Sequence, residues 1–244
     1  ALRRRPVSAL TAAWDEVIRT PLFGIILTVA AYVAAVRLWR RAGRTPLLTP
    51  VLVAMALVVA VLELTGVDYE TYLVGGRYLS FLLGPATVAL AVPLYRSAAT
   101  IRRLLVPVAV GVVLGSAAAL ASAILVVRVL DGGPVLEATM APKSTTTPIA
   151  IALAEAAGGL PSLAAVVVIL TGILGAVLGP WLLDLVRVRD PRIRGLALGV
   201  SSHGIGTSRA LQDGPVTGAF SALAMALSGV VTAFLLPAVL RLLG

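Results

Sequence analysis

The run LAAVVVILTGILGAVLGPWLL, residues 163–183, carries no charged side chain over a length that spans a bilayer. About 20 apolar residues in a helix cross the roughly 30 Å hydrocarbon core, with every backbone polar group bonded internally. Four more runs read the same way: 22–36, 47–62, 104–127 and 216–240, the two shorter ones reaching full length with their flanks. Composition agrees. Charged residues are 13% of the chain, about half the roughly 25% of a soluble domain, and mean hydropathy is +1.02. The reading is an all-α, polytopic protein of the cell (inner or plasma) membrane.

The absence of cysteine excludes disulfides and thiolate metal sites, and a single histidine argues against a histidine metal cage. No metal or cofactor is expected. A net charge of +9 would suggest nucleic acid in a soluble protein. Here the arginines cluster in short connections between apolar runs, the positive-inside pattern, so the partner implied is the lipid bilayer. Arg3-Arg4-Arg5 is not followed by an apolar stretch, so no cleavable signal peptide is expected. No nucleophile–base pair or phosphate loop points to an enzyme.

Residues 1–19 read as a lead-in and 20–244 as one membrane domain of about seven spans. The basic connections 37–44, 96–103 and 187–194 are assigned to the cytoplasm, which leaves 66–71, 128–134 and 212–215 outside. The span after Leu163 must then start outside. Residues 134–159 would enter and leave on the outer side, as a re-entrant pair of half-helices with 143–147 at the tip. The alternative is a broken helix that crosses, giving eight spans and one loop against the charge rule. A weak internal symmetry relates 79–90, broken at Gly84-Pro85, to 196–207, broken at His203-Gly204-Ile205-Gly206. It suggests inverted-repeat halves at about 46–130 and 161–244, an arrangement of secondary transporters.

The chain's one lysine and one histidine fall in the polar breaks 141–148 and 201–209. Ionisable groups and irregular backbone at apolar depth mark solute paths. Pro148 suits the first turn of a half-helix with Thr146 or Thr147 as N-cap, whose positive dipole end attracts anions. Lys143 adds full charge, and Ser144, Thr145, Thr146 and Thr147 add hydroxyls. In the second break, Gly204 and Gly206 permit close backbone approach, and His203 can donate or accept. Ser202 and Thr207 are further polar candidates. Arg209 can grip a carboxylate with two hydrogen bonds. Thr87, beside Gly84-Pro85, is a further candidate, and Glu155 and His203 are candidates for proton coupling. Each has a plain structural alternative: a solvated loop lysine, a histidine satisfied by one bond, Arg209 paired with Asp213, a proline kink at 84–87, an interfacial Glu155. Gly111/Gly115 and Gly175/Gly179 have the four-residue spacing of close helix packing.

The motifs Lys143-Ser144-Thr145-Thr146-Thr147-Pro148, Gly158-Gly159-Leu160-Pro161, Thr171-Gly172-Ile173-Leu174-Gly175, Ser202-His203-Gly204-Ile205-Gly206-Thr207 and Phe81-Leu82-Leu83-Gly84-Pro85 resemble the LrgB/CidB family. The resemblance runs from about residue 20 to the end. It implies one of two activities. The first is secondary transport of small monocarboxylates (glycolate, glycerate, pyruvate or related acids), the family being similar to the C-terminal half of the plastid glycolate/glycerate translocator. The other is a holin-like or antiholin role in murein hydrolase export or lysis. It also implies a small LrgA/CidA-type membrane partner, and leaves homo-oligomerisation open. Gln212 stands where the family often has an acid, which weakens a proton-coupling role there.

Overall fold

The computed structural model describes residues 16–43, 45 and 48–243, so most of the expected lead-in, 1–15, lies outside the described residues. All the described elements are helices, and five helical stretches are long and apolar enough to cross a membrane. The chain is an all-α, multi-pass membrane protein. Its helices form two compact units, one up to Ala89 and one from Leu90.

The first unit contains α1 (Pro21–Arg41), α2 (Pro50–Thr65), α3 (Tyr69–Phe81) and α4 (Leu83–Ala89). Prolines open α1 and α2, where a missing N–H has no helical partner to lose. Gly66, at φ 67°, ends α2, and Asp68 caps α3 by accepting from the Thr71 amide at 2.9 Å. The break expected at Gly84-Pro85 falls at Leu82 instead. Pro85 lies in the first turn of α4, where its ring is tolerated, so the helix stops before it.

The second unit contains α5 (Ala91–Arg96), α6 (Ala98–Arg103), α7 (Leu105–Val129), α8 (Gly133–Met140), α9 (Thr147–Ala156), α10 (Pro161–Leu185), α11 (Pro191–Asp213) and α12 (Pro215–Leu243). Two core clusters give the direction of its long helices. Val108 and Val112, early in α7, pack with Phe220 and Ala224, early in α12. Leu120 and Ile124, late in α7, pack with Leu236, late in α12. So α7 and α12 run parallel.

Between α7 and α10 the chain makes a hairpin. Arg128 grips Glu137 through two hydrogen bonds, at 2.7 and 2.9 Å, and Ala141 joins the cluster of Leu120 and Ile124. Hence α8 runs back along α7. After the turn at 141–146, α9 runs outward again: Ile149 meets Gly229, while Leu153 and Ala157 pack near Leu236 and Leu240. With 8 and 10 residues, α8 and α9 are about 12 and 15 Å long, roughly half a bilayer core. The geometry is that of the re-entrant pair, not of the crossing broken helix.

α11 makes a second hairpin, where the sequence predicts a span crossing from 195 to 211. A Cβ on Gly195 would lie 2.3 Å from the Thr217 carbonyl oxygen, and one on Gly199 2.2 Å from that of Ser221. The first arm, 191–202, therefore lies flush along α12 and parallel to it. Beyond His203 the order reverses: Thr207 Oγ1 is 3.0 Å from Ser221 Oγ, and Leu211 covers Gly218. The arms lie against each other, since a Cβ on Gly206 would stand 2.6 Å from the Leu198 carbonyl oxygen. His203, at φ 41° and ψ −133°, makes the reversal. Residues 213–214 consequently lie at the same end as 186–190, and their expected outer placement is corrected.

The arginines of this unit divide sharply between its two ends. Arg96, Arg102, Arg103, Arg187, Arg189, Arg192 and Arg194 now share one end of the unit, with Arg128 and Arg241 toward the other. The arginine-rich end is cytoplasmic by the positive-inside rule. One hairpin dips from each side. The hairpin that opposes 191–213 is 133–156, whereas 79–90 belongs almost wholly to the other unit.

Candidate functional site

The two hairpin tips meet the middle of α10. Lys143 N bonds to the Met140 carbonyl at 3.1 Å, and Thr145 donates its hydroxyl to the Pro142 carbonyl at 2.9 Å, so the turn 141–146 is a compact loop. Thr146 holds the extended N-cap conformation of α9, but no side chain caps that helix. Its amide end stays open toward the tip. At the other tip, His203 Nε2 lies 3.0 Å from the Val168 carbonyl, and its ring fills the space beside Gly172, where a Cβ would lie 2.6 Å from it. Ser202 Oγ likewise occupies the space over Gly175. Small residues on α10 thus admit the second hairpin to mid-depth.

A groove of about 940 Å3 runs along this junction. Pro107, Gly111, Gly115 and Ala119 line it from one face of α7, at four-residue steps. Thr171, Leu174, Gly175, Leu178, Gly179 and Leu182 line it from α10. The arm 191–202 adds Ile193, Leu196, Ala197, Val200, Ser201 and Ser202. Pro107, Leu182 and Ile193 lie near the cytoplasmic helix ends, so the groove extends from that end to mid-depth. Lys143 and Ser144 form its deep wall. Its sides are hydrocarbon, and its polar groups gather at the deep end: Lys143, Ser144, Thr171, Ser201 and Ser202.

Lys143 is half-buried, and its ammonium makes no hydrogen bond or ion pair among the described residues. A cation so placed requires a counter-charge, since unpaired charge at low dielectric is costly. Other expected residues are committed elsewhere. Arg209 is bound to Asp213 at 2.5 Å. Thr207 bonds to the His203 carbonyl and to Ser221, and Gly206 serves the contact between the hairpin arms. His203 is buried behind the groove, and Gly204 is exposed, where an added Cβ would meet only Met225 Sδ at 3.9 Å. Thr145 is buried within its own turn, Thr146 and Thr147 lie at the start of α9 outside the groove lining, and Glu155 is exposed on α9. The Thr87 side chain lies outside the described residues.

Of the sequence candidates, Lys143, Ser144 and Ser202 come together on the groove. Thr171, Ser201 and the α7 glycines were missed. The spacing of Gly111 and Gly115 was visible, but read as helix packing. Gly175 and Gly179 do admit neighbouring side chains closely, whereas a Cβ on Gly111 would meet nothing within 4 Å. Gly111 faces the groove.

A multi-pass membrane protein with opposed re-entrant hairpins and a half-buried cation at their junction is the class these features define. The LrgB-like family model matches residues 28–242, and the chain belongs to that family. It is 41% identical over 218 residues to the uncharacterized protein YxaC of Bacillus subtilis (strain 168), covering 89% of this chain and 94% of that one. It is 38% identical over 211 residues to the uncharacterized protein YwbG of the same organism, covering 86% and 93%. No solved structure matches the chain.

Proposed function

We propose that this protein is a secondary transporter of small monocarboxylates such as pyruvate, glycolate or glycerate, working with an LrgA-type membrane partner. The observation that carries the reading is the Lys143 ammonium, without a partner among the described residues, at the deep end of a groove reached from the cytoplasmic end. A carboxylate about 4 Å from it gains roughly 4 kcal/mol at an effective dielectric near 20. Ser144 and Thr171 supply hydroxyl donors, and the uncapped start of α9 adds a positive dipole end. Opposed hairpins meeting at mid-depth suit alternating access. The inverted-repeat division at about 46–130 and 161–244 belongs to this proposal, and the hairpins 133–156 and 191–213 supply the opposed pair of broken elements.

The test is uptake of labelled pyruvate and glycolate into proteoliposomes, with and without an LrgA-type partner. Loss of saturable uptake in Lys143→Ala, at equal protein content, is the expected result. Unchanged uptake in that variant removes the site. Equal leakage of an unrelated dye would instead favour the holin-like reading.

A further inference from the structure

We infer that the groove prefers 2-oxo acids of four to six carbons, carboxylate head against Lys143 and aliphatic tail along the apolar walls, over pyruvate and over hydroxylated acids such as glycerate. This rests on the reading of the groove as an anion path. The polar groups stand only at the deep end, where a carboxylate and its adjacent oxygen find Lys143, Ser144 and Thr171. Toward the cytoplasmic end the next residues are Gly115, Leu174, Leu178 and Val200, which offer a tail no hydrogen-bond partner. From Ala119 to Gly111 the α7 face covers about 12 Å, room for a head and a short tail. A hydroxyl placed there loses its water without replacement.

Among the described residues, no cation besides Lys143 lines the groove. Arg192, Arg194 and Arg209 are paired with Asp190, Asp184 and Asp213. An acid with a second carboxylate on its tail is therefore rejected, whereas an aliphatic tail of equal length gains by its burial. A buried methylene contributes about fourfold in affinity, or about twofold where half its surface stays exposed.

The same chemistry, a carboxylate with a hydrocarbon tail, also describes a fatty acid from the bilayer, and chain length separates the two. The experiment is competition against labelled pyruvate uptake in proteoliposomes by 2-oxobutyrate, 2-oxovalerate, 4-methyl-2-oxopentanoate, glycerate, 2-oxoglutarate and dodecanoate. The inhibition constant is expected to fall two- to fourfold per carbon up to six carbons. Glycerate should compete more weakly than pyruvate, and 2-oxoglutarate about a hundredfold more weakly than 2-oxovalerate. Leu178→Asn should flatten the series, read as the ratio of constants within that variant. A series that is flat or rising from pyruvate upward, with pyruvate uptake intact, overturns the inference alone. A gain that continues unbroken to dodecanoate overturns it in favour of a lipid-derived acid. Absence of pyruvate uptake without competitor removes the transport reading as well.

Discussion

His203→Gly and His203→Ala should invert the usual order of these residues in a helix. His203 sits at φ 41° and ψ −133°, a region that only glycine occupies without steric cost. A side chain held there stores about 1–3 kcal/mol, so alanine keeps the strain while glycine releases it. Both variants lose the bond to the Val168 carbonyl and leave the same space beside Gly172, so these losses cancel in the comparison. The glycine variant should be more stable than the alanine variant by about 1 kcal/mol or more. In a continuous crossing helix, alanine would win by about 0.8–1.0 kcal/mol. The two architectures therefore differ by about 2 kcal/mol or more in this one comparison. Thermal or denaturant unfolding of the purified protein in detergent reads it directly. Alanine matching or exceeding glycine would refute the hairpin.

The cysteine-free chain makes topology testable by single labels: Val188→Cys and Gln212→Cys should react from the same, cytoplasmic face, and labelling from opposite faces would restore the crossing helix. Gly111→Ala should gain about 0.5–1 kcal/mol, because its Cβ enters open space on a helix. Gly199→Ala should lose about 1–3 kcal/mol against the Ser221 carbonyl; melting curves of the pair check both. Gly111→Trp should remain folded by size-exclusion and melting yet abolish pyruvate uptake, since its ring fills the groove. Arg209→Ala removes a pair within one helix turn, and should cost about 0.5 kcal/mol and change the uptake KM less than about twofold. Asp190 is held at about 2 by the Arg192 guanidinium and then the Arg192 amide, below its ordinary 3.8. Its carboxylate stabilises the fold fully above 3.8, and that contribution disappears as pH falls through 2. Asp190→Asn should flatten the loss of melting temperature across that window.

The spans were legible because the bilayer imposes one local rule, length of apolar helix, which residues 163–183 satisfy without reference to any neighbour. The lone lysine was legible for the same reason: its charge is anomalous wherever the segment ends up. The direction of 195–211 was not legible. A stretch of small and polar residues interrupted at His203 reads equally as a broken crossing helix or as a hairpin, and the turn residue is not one of the adjacent glycines. What decides is that Gly195, Gly199 and Gly206 lie against backbone oxygens of α12 and of the opposite arm. Those contacts fix both arms to one end of α12, and no sequence window contains them. The groove follows the same logic. Gly111 and Gly199 each share four-residue glycine spacing with a partner, yet one faces open space and the other a carbonyl oxygen 2.2 Å from where its Cβ would be. Spacing tells that backbone can approach at such a position; only the neighbour decides whether a helix or a solute does so. That Lys143 stands at the deep end of the groove onto which Gly111 opens is the reason to assign the empty space to a solute.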